Sequence, residues 1–248
     1  MPFHVSFYRF PDLLYEMQPG NMTFKDTAIL IFANSAEEEI SRKKSIHESK
    51  LFEELTSHTL RTVKKTGLPF YHFSEKEQQG ASFGERFANA IQSIYDKGFD
   101  NVIAIGNDSP QLKSSHLLEV YRQLQEGKIV LGPSSDGGFY VMGLHRSKFS
   151  AELFIRLPWQ QFGLFRKILG VLHDLGSSIH LLPWLHDIDS VEDIDQLLEH
   201  HKEIPFAIVR ILNRLRVGKR RLSLKKVVFR SQSFPAFHYN KGSPFLNL

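Results

Sequence analysis

The chain has 248 residues, 42% hydrophobic and 23% charged, which is enough apolar material for one large domain with a real core. It has no cysteine, which excludes disulfides and thiolate metal or nucleophile sites and suits a reducing cytoplasm. The net charge of +4 hides an asymmetry: ten Lys/Arg and no Asp or Glu follow residue 203, so residues 1–203 sum to −6.

Residues 1–21 read as an N-terminal extension, in which Asp12 and Glu16 break the apolar character a signal peptide needs. No run approaches the roughly 20 apolar residues of a membrane span. A cytoplasmic domain is therefore expected over 22–203. Its first element is the continuous apolar run 28–33, the pattern of a strand buried on both faces. A highly charged loop is expected over 34–50, then a helix over 51–65 and a short strand over 68–73. Phe83, Phe87, Ala90, Ile91, Ile94 and Tyr95 recur at helical spacing and predict a helix over 82–97, closed by Gly98.

A second buried strand follows at 102–105, then a helix capped by Ser114 or Ser115. Strands at 128–131 and 139–144, a helix over 160–175 and a strand at 179–182 come next. Ser190 opens the next helix, with Asp193 three residues on. Strands alternating with helices predict a twisted, mostly parallel α/β sheet covered on both faces. Ligands of such sheets bind beyond the carboxyl ends of the strands. From 204 onward, Ile204, Ile208, Ile211, Leu212 and Leu215 share one helical face. Residues 204–248 thus read as a basic helix and tail that can contact an anionic surface or pack on the acidic domain.

Four constellations carry chemistry. The strand 102–105 runs into Gly106-Asn107-Asp108-Ser109-Pro110. Asp108 there can ligate a divalent ion that bridges phosphates, or simply accept backbone N–H bonds in a turn. Asp136-Gly137-Gly138 allows backbone to approach a ligand closely, and is equally a hairpin-turn signal. Asp187 and Asp189 alternate along an extended segment, which puts both carboxylates on one side. Asp189 can complete a metal site with Asp108, or favour a helix start. Gly80, Ser82 and Gly84 form a G-x-S-x-G pattern, but no strand runs directly into it as a nucleophile elbow requires. A loop whose helix N-terminal N–H groups meet an anion fits better.

Three motifs stand in order: GERFANAIQSIYDKGFDNVIAIGNDSPQL, VLGPSSDGGFYVMGL and LHDIDSVEDI. Together they make residues 24–200 resemble the GT-A-type nucleotide-diphospho-sugar transferase-like family. Some members of that family are called arsenosugar-biosynthesis-type glycosyltransferases. Its relatives include the guanylyltransferase of 2-phospholactate and the molybdenum-cofactor nucleotidyltransferases. The resemblance implies a three-layer α/β/α fold with a mostly parallel mixed sheet. It implies Mg²⁺ or Mn²⁺ held by Asp108 with help from Asp189, and Asp136 acting at the transferred group beside Gly137 and Gly138. It also implies that Gln79, Gly80, Glu85 and Arg86, with Asn107, border the substrate pocket. Many relatives follow the first strand with a Gly/Pro loop ending Lys-Thr-Arg. Here three Glu fill that loop, and Arg42, Lys43 and Lys44 are what remain to meet donor phosphates.

The expected function is glycosyl or nucleotidyl transfer from a nucleotide or nucleotide-sugar donor to a small-molecule acceptor. The alternative is a non-catalytic binding protein of the same fold, motivated by the Glu-rich loop.

Overall fold

The computed structural model describes residues 26–217 except 44, 162, 175 and 176. The N-terminal extension, Lys44 and the basic stretch from 218 lie outside the described residues. The sheet has six strands: β1 Thr27–Phe32, β2 Phe70–Phe73, β3 Asn101–Ile105, β4 Ile129–Pro133, β5 Phe139–His145 and β6 Ile179–Leu181. Their order is β2-β1-β3-β5-β4-β6. Five run parallel, and β5 runs against both its neighbours. The mostly parallel α/β sheet expected from the strand–helix alternation is therefore present. β1 and β3 are buried on both faces, which explains their unbroken apolar runs.

The reversal of β5 positions the site. The chain leaves β4 at the edge where β1 and β3 also end, turns through 134–138, and re-enters the sheet. The Asp136-Gly137-Gly138 segment is thus a hairpin turn that stands on the carboxyl edge of the parallel strands. Gly137 takes φ +88°, a left-handed conformation that glycine adopts without steric cost.

Helices cover both faces. On one side α3 (Phe83–Tyr95), α5 (Ala151–Ile155) and α6 (Leu164–Asp174) pack on Ala28, Leu30, Val102, Ala104 and Leu131. On the other, α2 (Ser49–Lys64) and α4 (Ser114–Gln125) pack on Ile29, Ile31, Ile103, Ile105 and Val141. A third cluster lies to one side, where Leu51, Phe52 and Leu55 of α2 meet α7 (Asp193–Glu199) and a helix over 206–217, here α8. Ile204, Ile208, Ile211 and Leu212 are buried in that cluster, on the face their spacing predicts. This packing continues the hydrophobic body past residue 203. No described helix is long and apolar enough to cross a membrane.

Three local differences from the sequence reading have physical causes. The polar segment 34–50 contains a helix, α1 (Ala36–Arg42), hidden because its burial is slight and its surface is charged. Ser35 caps it, and Glu37, Glu38 and Glu39 in its first turn suit the positive end of the helix dipole. Helix α4 begins after Lys113, so Ser114 is its first residue rather than its cap. Helix α7 begins at Asp193, whose carboxylate accepts from the N–H and hydroxyl of Ser190.

Candidate functional site

The carboxyl edge of the sheet opens into a crevice of about 560 Å³, a size that suits a small-molecule ligand. Its floor is Ala104 to Asp108 from β3 and the loop after it. Phe32, Ala33 and Asn34 from the end of β1 form one side, and the β4–β5 turn with Asp187 and Asp189 forms the other.

The acidic end is assembled by backbone pairing beyond β6. Leu182 N–H donates to Leu131 O at 2.9 Å, Leu185 N–H to Pro133 O at 3.2 Å, and Ser135 N–H to Leu185 O at 3.1 Å. The segment then crosses to β3, where Ile188 N–H donates to Asp108 O at 3.0 Å. Buried Gln111 steadies it by accepting from His186 N–H at 2.8 Å and donating to Glu203 at 2.8 Å. Alternation along 187–189 then points two carboxylates the same way. Ligand oxygens of Asp136, Asp187 and Asp189 lie within 4.8 Å of one another. Asp136 is fixed by Ser134 Oγ and by Gly138 N–H at 2.7 Å, and Asp187 by Ser135 Oγ at 2.7 Å.

Among the described residues, three acids here share one cation. Lys43, just past α1, places Nζ 2.8 Å from Asp189 Oδ1, 3.4 Å from Glu39 Oε2 and 3.9 Å from Asp108 Oδ2, and donates to Ile188 O at 2.8 Å. Burial alone would lower the Lys43 pKa, but Asp108, Asp189 and Glu39 outweigh it and raise it. Burial pushes the Asp108 carboxyl up to about 6; Lys43 opposes the shift, and Asp189 and Glu39 add to it. Asp187 is pushed up to about 7, first by burial and then by Asp108, Asp136 and Asp189, against the Ser135 hydrogen bond. The acids thus outnumber their compensating charge.

The other end of the crevice is aromatic. Trp159 packs tilted on Phe83 and edge-on to Phe87, both at 5.2 Å, and edge-on to Phe139 at 6.0 Å, centroid to centroid, and Phe32 meets Phe83 at 5.6 Å. The Trp159 indole N–H donates to Phe154 O at 2.6 Å. Its ring lies on Gly84, where any Cβ would come within 2.7 Å of the indole. Arg86 lines this end and forms no ion pair among the described residues.

Residues 55–161 match the family described as uncharacterized protein conserved in bacteria (DUF2064). The chain is similar to the crystal structure of an inferred nucleotide-diphospho-sugar transferase from Desulfovibrio desulfuricans G20. The TM-score is 0.64 at 21% identity, over 77% of this chain and 96% of that one. The two chains share one fold. More distant are Rv0371c from Mycobacterium tuberculosis H37Rv and its complex with manganese. The first has a TM-score of 0.47 at 14% identity, over 72% of this chain and 100% of that one. The second has 0.41 at 12%, over 70% and 98%. No curated protein matches the chain.

The crevice gathers Asp108, Asn107, Asp136, Gly138, Asp189, Arg86, Arg42 and Lys43 from the residues singled out in sequence. Gly137 belongs to the same turn but does not line the crevice. Gln79, Gly80 and Glu85 do not line it either; they build the start of α3. Glu85 accepts from Ala81 N–H at 2.7 Å, Ser82 Oγ accepts from Glu85 N–H at 3.2 Å, and Gln79 O accepts from Asn89 at 2.9 Å. Ser82 is therefore a helix cap, and much of the N–H capacity there is already used. Both members of the expected ligand pair face Lys43, and of the two only Asp189 joins the three-acid cluster. The sequence reading weighed Asp187 only as a partner of Asp189. It did not anticipate Glu39 in the crevice, the Lys43 ion pairs or the Trp159 wall, because each depends on long-range contacts.

Proposed function

We propose that this chain is a divalent-metal-dependent transferase. It would take a nucleotide or nucleotide-sugar donor and pass a glycosyl or nucleotidyl group to a small acceptor. The observation that carries this reading is the convergence of Asp136, Asp187 and Asp189 at the carboxyl edge of the sheet, in one crevice with Arg86. An all-oxygen, carboxylate-rich donor set suits Mg²⁺ or Mn²⁺; burial first and like-charge repulsion second lift the Asp187 pKa, and a bound cation would relieve the repulsion. When bound, the ion would neutralise charge on the donor phosphates.

Asp187 and Asp189 would hold the ion with Asp136, and Asp108 is a further ligand candidate from the β3 side. With its carboxyl near 6, Asp108 also suits accepting a proton from an acceptor hydroxyl at neutral pH. Arg86 and exposed Arg42 would meet donor phosphates, and the Trp159 wall offers a face for a base or sugar ring. Thermal-shift measurements with a panel of nucleotides, with and without Mn²⁺, test the reading. Metal-dependent stabilisation of wild type that Asp108→Ala reduces is expected. The absence of such stabilisation with every nucleotide would remove the catalytic reading.

A second reading rests on the loop after β1. There the Ser35 N–H and hydroxyl are taken by Glu75 at 2.7 and 3.0 Å, and Glu39 is buried facing Lys43. The chain's own carboxylates fill the neighbourhood where the resemblance puts donor phosphates, which favours a non-catalytic binding protein. That reading requires Asp108→Ala, properly folded, to retain the cellular role; a loss-of-function phenotype from this single change would exclude it.

A further inference from the structure

Lys43 is placed unlike its neighbour. Arg42 is exposed and pairs within its own helix to Glu38 at 2.6 Å, an ordinary surface contact. The Lys43 side chain is only 15% exposed, and its ammonium is met by four oxygens from three parts of the chain: Glu39 on α1, Asp108 after β3, and Asp189 with the Ile188 carbonyl before α7. Its backbone N–H closes α1 onto Glu39 O at 2.7 Å, and Nζ stands 5.9 Å over the Phe52 ring. This is an oxygen cage of the kind that holds a hard cation, with an ammonium inside it.

We infer that Lys43 is a resident cation of the acidic cluster, which a divalent ion must displace from Asp189. The inference rests on the proposed metal-dependent function. Asp189 is the shared group: Oδ1 is 2.8 Å from the ammonium, and the same carboxylate belongs to the three-acid set. An ammonium and a dication on one carboxylate repel each other at a distance where Coulomb forces are strong. The consequence is a cluster that stays assembled without metal and binds metal weakly and reversibly.

The test is Mn²⁺ titration followed by the electron paramagnetic resonance of free ion, on wild type and Lys43→Met, with folding checked by circular dichroism. Lys43→Met is expected to bind Mn²⁺ at least about tenfold more tightly. In wild type, saturating Mn²⁺ is expected to raise acylation of Lys43 several-fold, read by peptide mass spectrometry against Lys97 as reference. Equal or weaker Mn²⁺ binding by Lys43→Met, while wild type binds, overturns the inference and leaves the metal reading standing. Should Lys43→Met fail to fold, unchanged acylation in wild type that binds Mn²⁺ overturns it instead. Absence of Mn²⁺ binding by both proteins overturns the metal reading and the inference with it.

Discussion

The two ends of the crevice are built by opposite physics. The aromatic end is held by packing: Trp159, Phe83, Phe87 and Phe139 touch one another on the α3 side of the sheet, so they stabilise the fold where they stand. The acidic end is held by a backbone zipper that forces like charges together. Asp187 and Asp108 there have pKa values well above those of ordinary carboxyls, and among the described residues Lys43 alone ion-pairs Glu39, Asp108 and Asp189. One end lowers the energy of the folded chain, and the other stores repulsion that the proposed metal ion would release. Such local conflict is what a binding site tolerates and a structural core does not.

Removing one acid should break the comparison most sharply. Asp187→Asn is expected to weaken Mn²⁺ binding by on the order of a hundredfold, since a ligand is lost from a small set. The same change should raise the melting temperature of the metal-free protein, because a buried carboxyl under like-charge pressure is gone. A variant less stable without metal would show that Asp187 is tolerated without strain. At the other end, Trp159→Ala should cost about 2–3 kcal/mol in urea unfolding, somewhat below a fully buried tryptophan because the ring borders the crevice. Its Mn²⁺ affinity should stay within about twofold of wild type. A large change in metal binding would mean the two ends are coupled.

Much of this was legible in sequence, for reasons that differ by element. β1 and β3 announce themselves because strands buried on both faces need unbroken apolar runs, and α3 because its buried stripe repeats at helical spacing. The pairing of Asp187 with Asp189 followed from strand alternation alone. The direction of β5 was legible only in part: Asp136-Gly137 is a hairpin-turn signal, but the register to β4 and β3 is what makes the five-residue segment 134–138 a hairpin. Helix α1 stayed hidden because Glu39 is its only buried residue. The Lys43 cage was invisible because its oxygens come from positions 39, 108, 188 and 189, and no local pattern links them.

Gly84→Ala sharpens the comparison by strain rather than by loss. A Cβ there meets the Trp159 indole at 2.7 Å, so the ring must shift, at a cost of about 1–2 kcal/mol. Only two tryptophans are present, so in a Trp184→Phe background the fluorescence of Trp159 reports the shift directly. An unchanged emission spectrum together with unchanged stability would mean the wall has slack.

The smallest expected effect separates the two kinds of carboxylate by pH. Asp187 has a folded pKa near 7, above its ordinary value of 3.8, so the folded state holds its proton more tightly. Its contribution to stability is fully present below about pH 4 and is lost as pH rises toward 7. Glu75 is the reverse case. Burial would raise its carboxyl, but the Ser35 N–H outweighs that and holds it below the ordinary 4.5. Its stabilisation is present above pH 4.5 and is lost as pH falls through the lowered value. Glu75→Gln should therefore cost about 1 kcal/mol at pH 7, by weakening the anchor at the start of α1, and much less near pH 3. Asp187→Asn should instead remove the decline in metal-free stability between pH 4 and 7. Urea melts of both variants across this range decide the matter. Parallel pH profiles for the two would mean that the acidic end stores no repulsion and differs from the α1 cap only in position.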